Sequence, residues 1–252
     1  MFDLKKIQPY APGGRELFGK VGVGLSVGVI VAILMFIILS FVSSIFMKAT
    51  GINADTAIYS NPLLSFVCLF IGFLSSFIGN FLQVLAYNLF YSKKYYNVGK
   101  VFGLLLLTNA IILGLVGPIY FLFSTQLVIL FIILAFHVLL SIFISMNVVE
   151  FSLSPNYANS SLVGNTFGFG IVMLMYAIFW KSNSGGVLSE SSITLSIILP
   201  PILGYTLIPL GLGIWEKIYL KFYEMGSNPF YIDSATEQEV NTDEEEINID
   251  LD

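Results

Sequence analysis

The sequence predicts an all-α membrane protein: a polytopic bundle of six transmembrane helices, both termini cytoplasmic, with a disordered acidic C-terminal tail. Three observations lead there. The chain of 252 residues is 56% hydrophobic and only 11% charged, where a soluble domain carries about 25% charge. Mean hydropathy is +0.87. And six apolar stretches, at about 21–47, 63–90, 101–123, 127–148, 161–180 and 191–215, contain no Asp, Glu, Lys or Arg at all; each has about the 20 residues that cross a bilayer core.

The organisation that follows is an N-terminal cytoplasmic segment (1–20), a six-helix transmembrane domain (21–224) and a polar tail (225–252). The net charge of −5 is a sum of unlike parts. Nine of the 16 acids lie in 233–252 with no base among them, which leaves 11 bases against 7 acids in the body. No cluster of Lys and Arg forms the basic face that nucleic acid requires, so nucleic acid is not expected as a partner.

The first span, 21–47, follows a Pro- and Gly-rich stretch. Its apolar run is too long for the core of a signal peptide, which favours a retained helix. Gly24 and Gly28 lie four apart within it, the small-xxx-small spacing that lets two helix backbones approach. The second span, 63–90, is two-sided. Wound at 100° per residue, Ser65, Cys68, Gly72, Ser76, Asn80 and Gln83 fall within an arc of roughly 140°, opposite Leu63, Phe66, Phe70 and Phe77. Lipid suits the second side and protein the first, so this helix reads as the hub.

The third span carries Gly103 and Gly114 on a small-residue stripe, with Pro118 as a candidate kink. Pro118 has no N–H, so the backbone acceptor at position 114 needs another partner. A three-residue connector then forces spans three and four into a hairpin. The fourth span holds the single histidine, His137. The fifth repeats the glycine spacing at Gly164 and Gly168 and carries Asn165. The sixth is interrupted by Pro200, Pro201 and Pro209, all candidate kinks, and runs on into an amphipathic stretch to residue 224.

Orientation follows from Lys and Arg in the short loops. With the N-terminus inside, Lys5, Lys6, Arg15, Lys20, Lys93, Lys94, Lys100, Lys217 and Lys221 are cytoplasmic, and only Lys48 and Lys181 are outside. A plasma (inner) membrane location with both termini cytoplasmic is the expectation.

Motif chemistry points away from catalysis. Gly24-Leu25-Ser26-Val27-Gly28 spells G-x-S-x-G, but that motif works at a strained turn between a strand and a helix, not inside an apolar helix. A metal site would need ligands beside His137, and the spans offer no second histidine and no carboxylate. Cys68, the one cysteine, can build no disulfide framework. No enzyme activity, cofactor or metal is expected. Asn80, Gln83, Asn109, His137 and Asn165 form the candidate polar intramembrane set. Gly24, Gly28, Gly72, Ser76, Gly103, Gly114, Gly164 and Gly168 form the candidate helix-packing set. Amides inside a bundle pair across helices or contact a neutral solute, and no titrating relay exists for ion-coupled pumping. The first expectation is a non-enzymatic scaffold or assembly subunit of a membrane complex; the second is a permease or channel for a small neutral solute. Beyond the lipid bilayer, the expected partners are a protein docking on the alternating end of the acidic tail, Ile247 to Asp252, and a second copy of the chain.

Overall fold

A computed structural model describes residues 14–50, 62–90, 97–123, 127–153, 158–183 and 190–224. The acidic tail, the N-terminal segment to residue 13 and most of the connectors lie outside the described residues. Six α-helices make up what is described, with no strand among them: α1 (Gly14–Thr50), α2 (Pro62–Phe90), α3 (Val98–Leu122), α4 (Leu127–Leu153), α5 (Ala158–Asn183) and α6 (Glu190–Glu224). All six are long and apolar enough to cross a membrane. The chain is an integral, multi-pass membrane protein by this criterion.

Each helix contains the span expected from the sequence, apart from a one-residue overhang of the third at Phe123, and α1 and α6 run well past theirs. The amphipathic stretch after Trp215 continues α6 without a break. Where the start of α3 is resolved, its cause is visible. The Asn97 side chain accepts a hydrogen bond from the Lys100 backbone N–H at 2.9 Å, satisfying one of the donors that a helix start leaves free.

Consecutive helices pack side by side, and α6 closes the ring against α1. Two further contacts, α2 with α4 and α4 with α6, turn the ring into an inner trio with three outer helices wedged between its members. Burial follows this division. In the apolar stretch of each helix, 67% of α4, 50% of α6 and 44% of α2 is buried, against 33%, 33% and 28% for α1, α3 and α5. The two-sided helix α2 turns its polar side inward, with Ser65, Cys68, Ser75, Ser76, Asn80 and Gln83 all buried and Leu63, Phe66 and Phe70 exposed. It is not the most enclosed helix, however. That is α4, whose polar line of His137, Ser141 and Ser145 at four-residue spacing is fully buried.

In lipid, no hydrophobic force drives helices together, so close packing depends on small residues. Here the glycines serve one helix above all. A Cβ placed on Gly24 would run into the Tyr205 carbonyl of α6, and one on Gly28 would stand 2.8 Å from Ile202 Cα and 2.9 Å from the Pro201 carbonyl oxygen. On the other flank, a Cβ on Gly164 would stand 2.7 Å from Leu212 Cα, and one on Gly168 would stand 2.7 Å from Ile208 Cα. Gly211 of α6 faces Gly168 backbone in return. So α6 is clasped between two glycine seams, from α1 and from α5. Gly72 serves a different contact, seating the His137 ring of α4, whose Nδ1 would be 2.5 Å from an added Cβ.

Gly103 and Gly114 have the same kind of spacing and a different placement. Both are exposed, and an added Cβ at either would meet nothing within 4 Å. They pack against no other described helix, because α3 turns its other side, with Val101, Leu105, Asn109, Ile112 and Val116, toward α2 and α4. Gly103→Leu is therefore expected to leave thermal stability of the purified chain within about 0.5 kcal/mol of wild type.

Candidate functional site

The polar residues of the spans converge on the inner trio. Asn80 of α2 is the branching point. Its amide nitrogen donates to Ser145 Oγ at 3.0 Å and Ser141 Oγ at 3.2 Å, both on α4. Its Oδ1 accepts from the Tyr205 hydroxyl of α6 at 3.2 Å, and that hydroxyl also lies 3.3 Å from the Ser76 carbonyl oxygen. Asn109 of α3 joins from the other side. Its Oδ1 accepts from the Ser141 hydroxyl, and its nitrogen donates to the Leu105 carbonyl at 2.8 Å and reaches Ser145 Oγ at 3.4 Å. Asn80, Asn109, Ser141, Ser145 and Tyr205 are all fully buried. An unpaired amide or hydroxyl costs several kcal/mol in an apolar medium, so each holds its partner firmly in register.

Gln83, one turn further along α2, has a different duty. Its nitrogen donates to the Tyr205 carbonyl of α6 at 3.3 Å and to the Tyr87 hydroxyl at 2.9 Å. The carbonyl is one that α6 cannot satisfy itself: its usual donor is the N–H four residues on, and residue 209 is proline. The same arithmetic holds at Pro200, which frees the Ser196 carbonyl; the Tyr176 hydroxyl of α5 donates to it at 3.2 Å. Two of the three prolines in α6 thus have their released acceptors capped by side chains of neighbouring helices. The helix runs through all three without interruption. Tyr87 in turn donates to the Lys20 carbonyl of α1 at 3.3 Å.

This assignment predicts a coupling. Pro209→Ala returns an N–H to the Tyr205 carbonyl. Gln83→Leu should then cost about 1 kcal/mol less in the Pro209→Ala background than in wild type, as read by a double-mutant cycle on unfolding in mixed detergent micelles.

The remaining candidates lie apart from Asn80. His137, also fully buried, has Nδ1 3.3 Å from the Tyr120 hydroxyl of α3, with the rings edge to face and centroids 5.9 Å apart. Its Nε2 has no partner among the described residues. Asn165 of α5 donates to Asn147 Oδ1 of α4 at 3.0 Å, and Asn147 donates to the Phe143 carbonyl at 2.8 Å. Asn165 thus ties α5 to α4 instead of meeting the α2 face. Ser26 of the G-x-S-x-G run is exposed and donates to the Gly22 carbonyl of its own helix at 2.9 Å, while the two glycines of that run pack on α6. Among the described residues, no three of His, Cys, Asp and Glu come together.

The residues that sequence reasoning passed over are three tyrosines, Tyr205, Tyr176 and Tyr120; Tyr87 falls on the polar arc of the second span. Tyr205, Tyr176, Tyr120 and Tyr87 all carry inter-helix hydrogen bonds. For Tyr205 and Tyr176 a signal existed in the spacing of the prolines, since counting four back from Pro209 and Pro200 marks the carbonyls that need outside donors. An open groove of about 610 Å³ between α1 and α2, lined by Phe18, Gly22, Ser26, Ile30, Leu82 and Ala86, shares no lining residue with the network.

What the network can do chemically is set by its members. Amides, hydroxyls and backbone carbonyls hold helices together or offer neutral contacts, and no carboxylate or amine takes part. No family model matches the chain, and neither a curated protein nor a solved structure matches it.

Proposed function

We propose that the protein is a non-enzymatic scaffold or assembly subunit of a membrane complex, placed in the plasma membrane with both termini cytoplasmic. One observation carries the reading: the amides Asn80, Gln83, Asn109 and Asn165 each reach a hydrogen-bond partner on another helix of the same chain. Asn80 alone links α2, α4 and α6, and further bonds bring in α1, α3 and α5. A bundle cross-linked in this way is a rigid platform. The excess of Lys and Arg in one set of loops supports the orientation. The acidic tail then lies on the same side as the N-terminus, where its alternating end, Ile247, Ile249 and Leu251 among acids, suits addition to the edge of a partner's sheet.

The test is affinity purification from the native membrane of the full chain and of a chain lacking residues 234–252. Loss of the co-purifying protein on removing the tail supports the reading; the same partners with and without it overturn recruitment by the tail.

A second reading, a permease or channel for a small neutral solute, draws on polar atoms left over: Gln83 Oε1, Ser76 Oγ and His137 Nε2 are buried and without partners among the described residues. Liposome flux of neutral solutes with Asn80→Leu and Gln83→Leu decides it. Flux that neither substitution alters removes both residues from any path.

A further inference from the structure

The groove between α1 and α2 has a defined reach. Its α1 wall runs from Phe18 to Ile30, about 18 Å of helix, and its α2 wall is Leu82 and Ala86. The apolar stretch of α1 that is long enough to cross the membrane is Phe18–Phe41, 24 residues. The groove therefore starts at one end of that stretch and stops at its midpoint. One leaflet covers much the same depth, half of a hydrocarbon core about 30 Å thick. The lining side chains are apolar apart from Ser26, whose hydroxyl hydrogen goes to the Gly22 carbonyl at 2.9 Å. Gly22 itself opens into the groove: it is exposed, and an added Cβ would meet nothing within 4 Å.

Basic residues gather at the mouth. Tyr87 donates to the Lys20 carbonyl, so the start of α1 and the end of α2 share one end of the bundle. Gly19, Gly22, Ser26 and Ile30 form one line along α1 at three- and four-residue spacing, and Arg15 is the next position on that line toward the mouth. Lys20 lies on the same turn as Gly19. Lys93 and Lys94 follow Phe90, the last residue of α2, by three and four positions, and chain length keeps them within about 14 Å of it. The one acid in residues 14–20 and 91–97 is Glu16, against Arg15, Lys20, Lys93 and Lys94.

We propose that this groove holds one acyl chain of an anionic phospholipid, with the phosphate among the basic residues at its mouth. Depth selects a lipid over a helix. A transmembrane helix crosses both leaflets and would call for a seam continuing past Ile30, whereas an acyl chain ends at the midplane, where the groove ends. Charge selects the headgroup, because basic pockets between spans favour anionic lipid over zwitterionic lipid. The inference goes beyond the assembly reading and depends neither on it nor on which side of the membrane the mouth faces.

Native mass spectrometry of the full chain in detergent tests it, with dioleoyl phosphatidylglycerol and dioleoyl phosphatidylcholine titrated separately. The two lipids have the same chains and differ in headgroup charge. The first phosphatidylglycerol should bind at least about fivefold more tightly than the first phosphatidylcholine, as one base near an anionic headgroup contributes. Gly22→Leu fills the groove without meeting other parts of the protein, so it should weaken the first binding of both lipids and leave melting in lipid-free detergent where it was. Lys93→Gln with Lys94→Gln should shrink the preference for phosphatidylglycerol and leave phosphatidylcholine binding unchanged. Equal affinity of the two lipids for wild type overturns the inference, as does wild-type phosphatidylglycerol binding by Gly22→Leu. So does a dimer of wild type that Gly22→Leu dissociates while lipid binding persists, which would assign the groove to a second copy.

Discussion

Gly168→Leu is expected to cost about 3 kcal/mol or more of stability, enough to shift detergent thermal melting down by several degrees. The contact it invades is backbone. An added Cβ would stand 2.6 Å from the Ile208 carbonyl oxygen, 2.7 Å from Ile208 Cα and 2.9 Å from the Leu207 carbonyl oxygen, and Gly211 of the same helix α6 is pressed against Gly168 one turn away. A flexible side chain would move aside at little cost, but a helix backbone moves only as a whole. Gly168→Ala already introduces that Cβ and should show a smaller loss in the same direction. Gly114→Leu supplies the comparison, since the same change made in open space should leave melting where it was. Equal losses at positions 168 and 114 would mean that α5 and α6 are not seated as described.

Asn80→Leu is the second large effect. It removes the bonds to Ser141 Oγ and Ser145 Oγ and the acceptor for the Tyr205 hydroxyl. Single hydrogen bonds inside membrane proteins contribute about 0.6 kcal/mol on average and up to about 1.7. Three of them, with a tyrosine left only the Ser76 carbonyl, bring the expected loss to about 3 kcal/mol, read by unfolding in mixed micelles. Asn165→Leu breaks one inter-helix bond and should cost about 1 kcal/mol. The ratio of the two is the informative quantity, because a solute contact would make Asn80 matter to transport without making it matter three times as much to unfolding.

Much of the architecture could be read before any coordinates. Six charge-free stretches marked the helices, and the wheel of residues 63–90 told which side of α2 faces inward, because that span alone mixes amides with phenylalanines in separate arcs. Spacing also identified Gly24, Gly28, Gly164 and Gly168 as places where a neighbour comes close. It did not tell which neighbour, and it assigned the same property to Gly103 and Gly114, where no other described helix comes. A small residue permits approach, and only the order of helices around the bundle decides whether anything approaches. His137 and Asn165 were legible as buried polar groups but not as members of separate pairs, since Tyr120 and Asn147 lie on other helices. Tyr120, Tyr176 and Tyr205 were hidden for another reason: in an apolar span they read as hydrophobic bulk or as anchors at the lipid surface. Four-residue counting from the prolines would have exposed two of the carbonyls they and Gln83 serve.

The clasp around α6 has a consequence for biogenesis. Translated after α1 to α5, α6 is the helix that both glycine seams are shaped to receive, and it also brings the tyrosine that Asn80 binds. Until it arrives, α1 and α5 hold bare notches, and the inner trio lacks a member. Nascent chains that stop short of α6 should therefore linger as loosely joined hairpins open to membrane proteases.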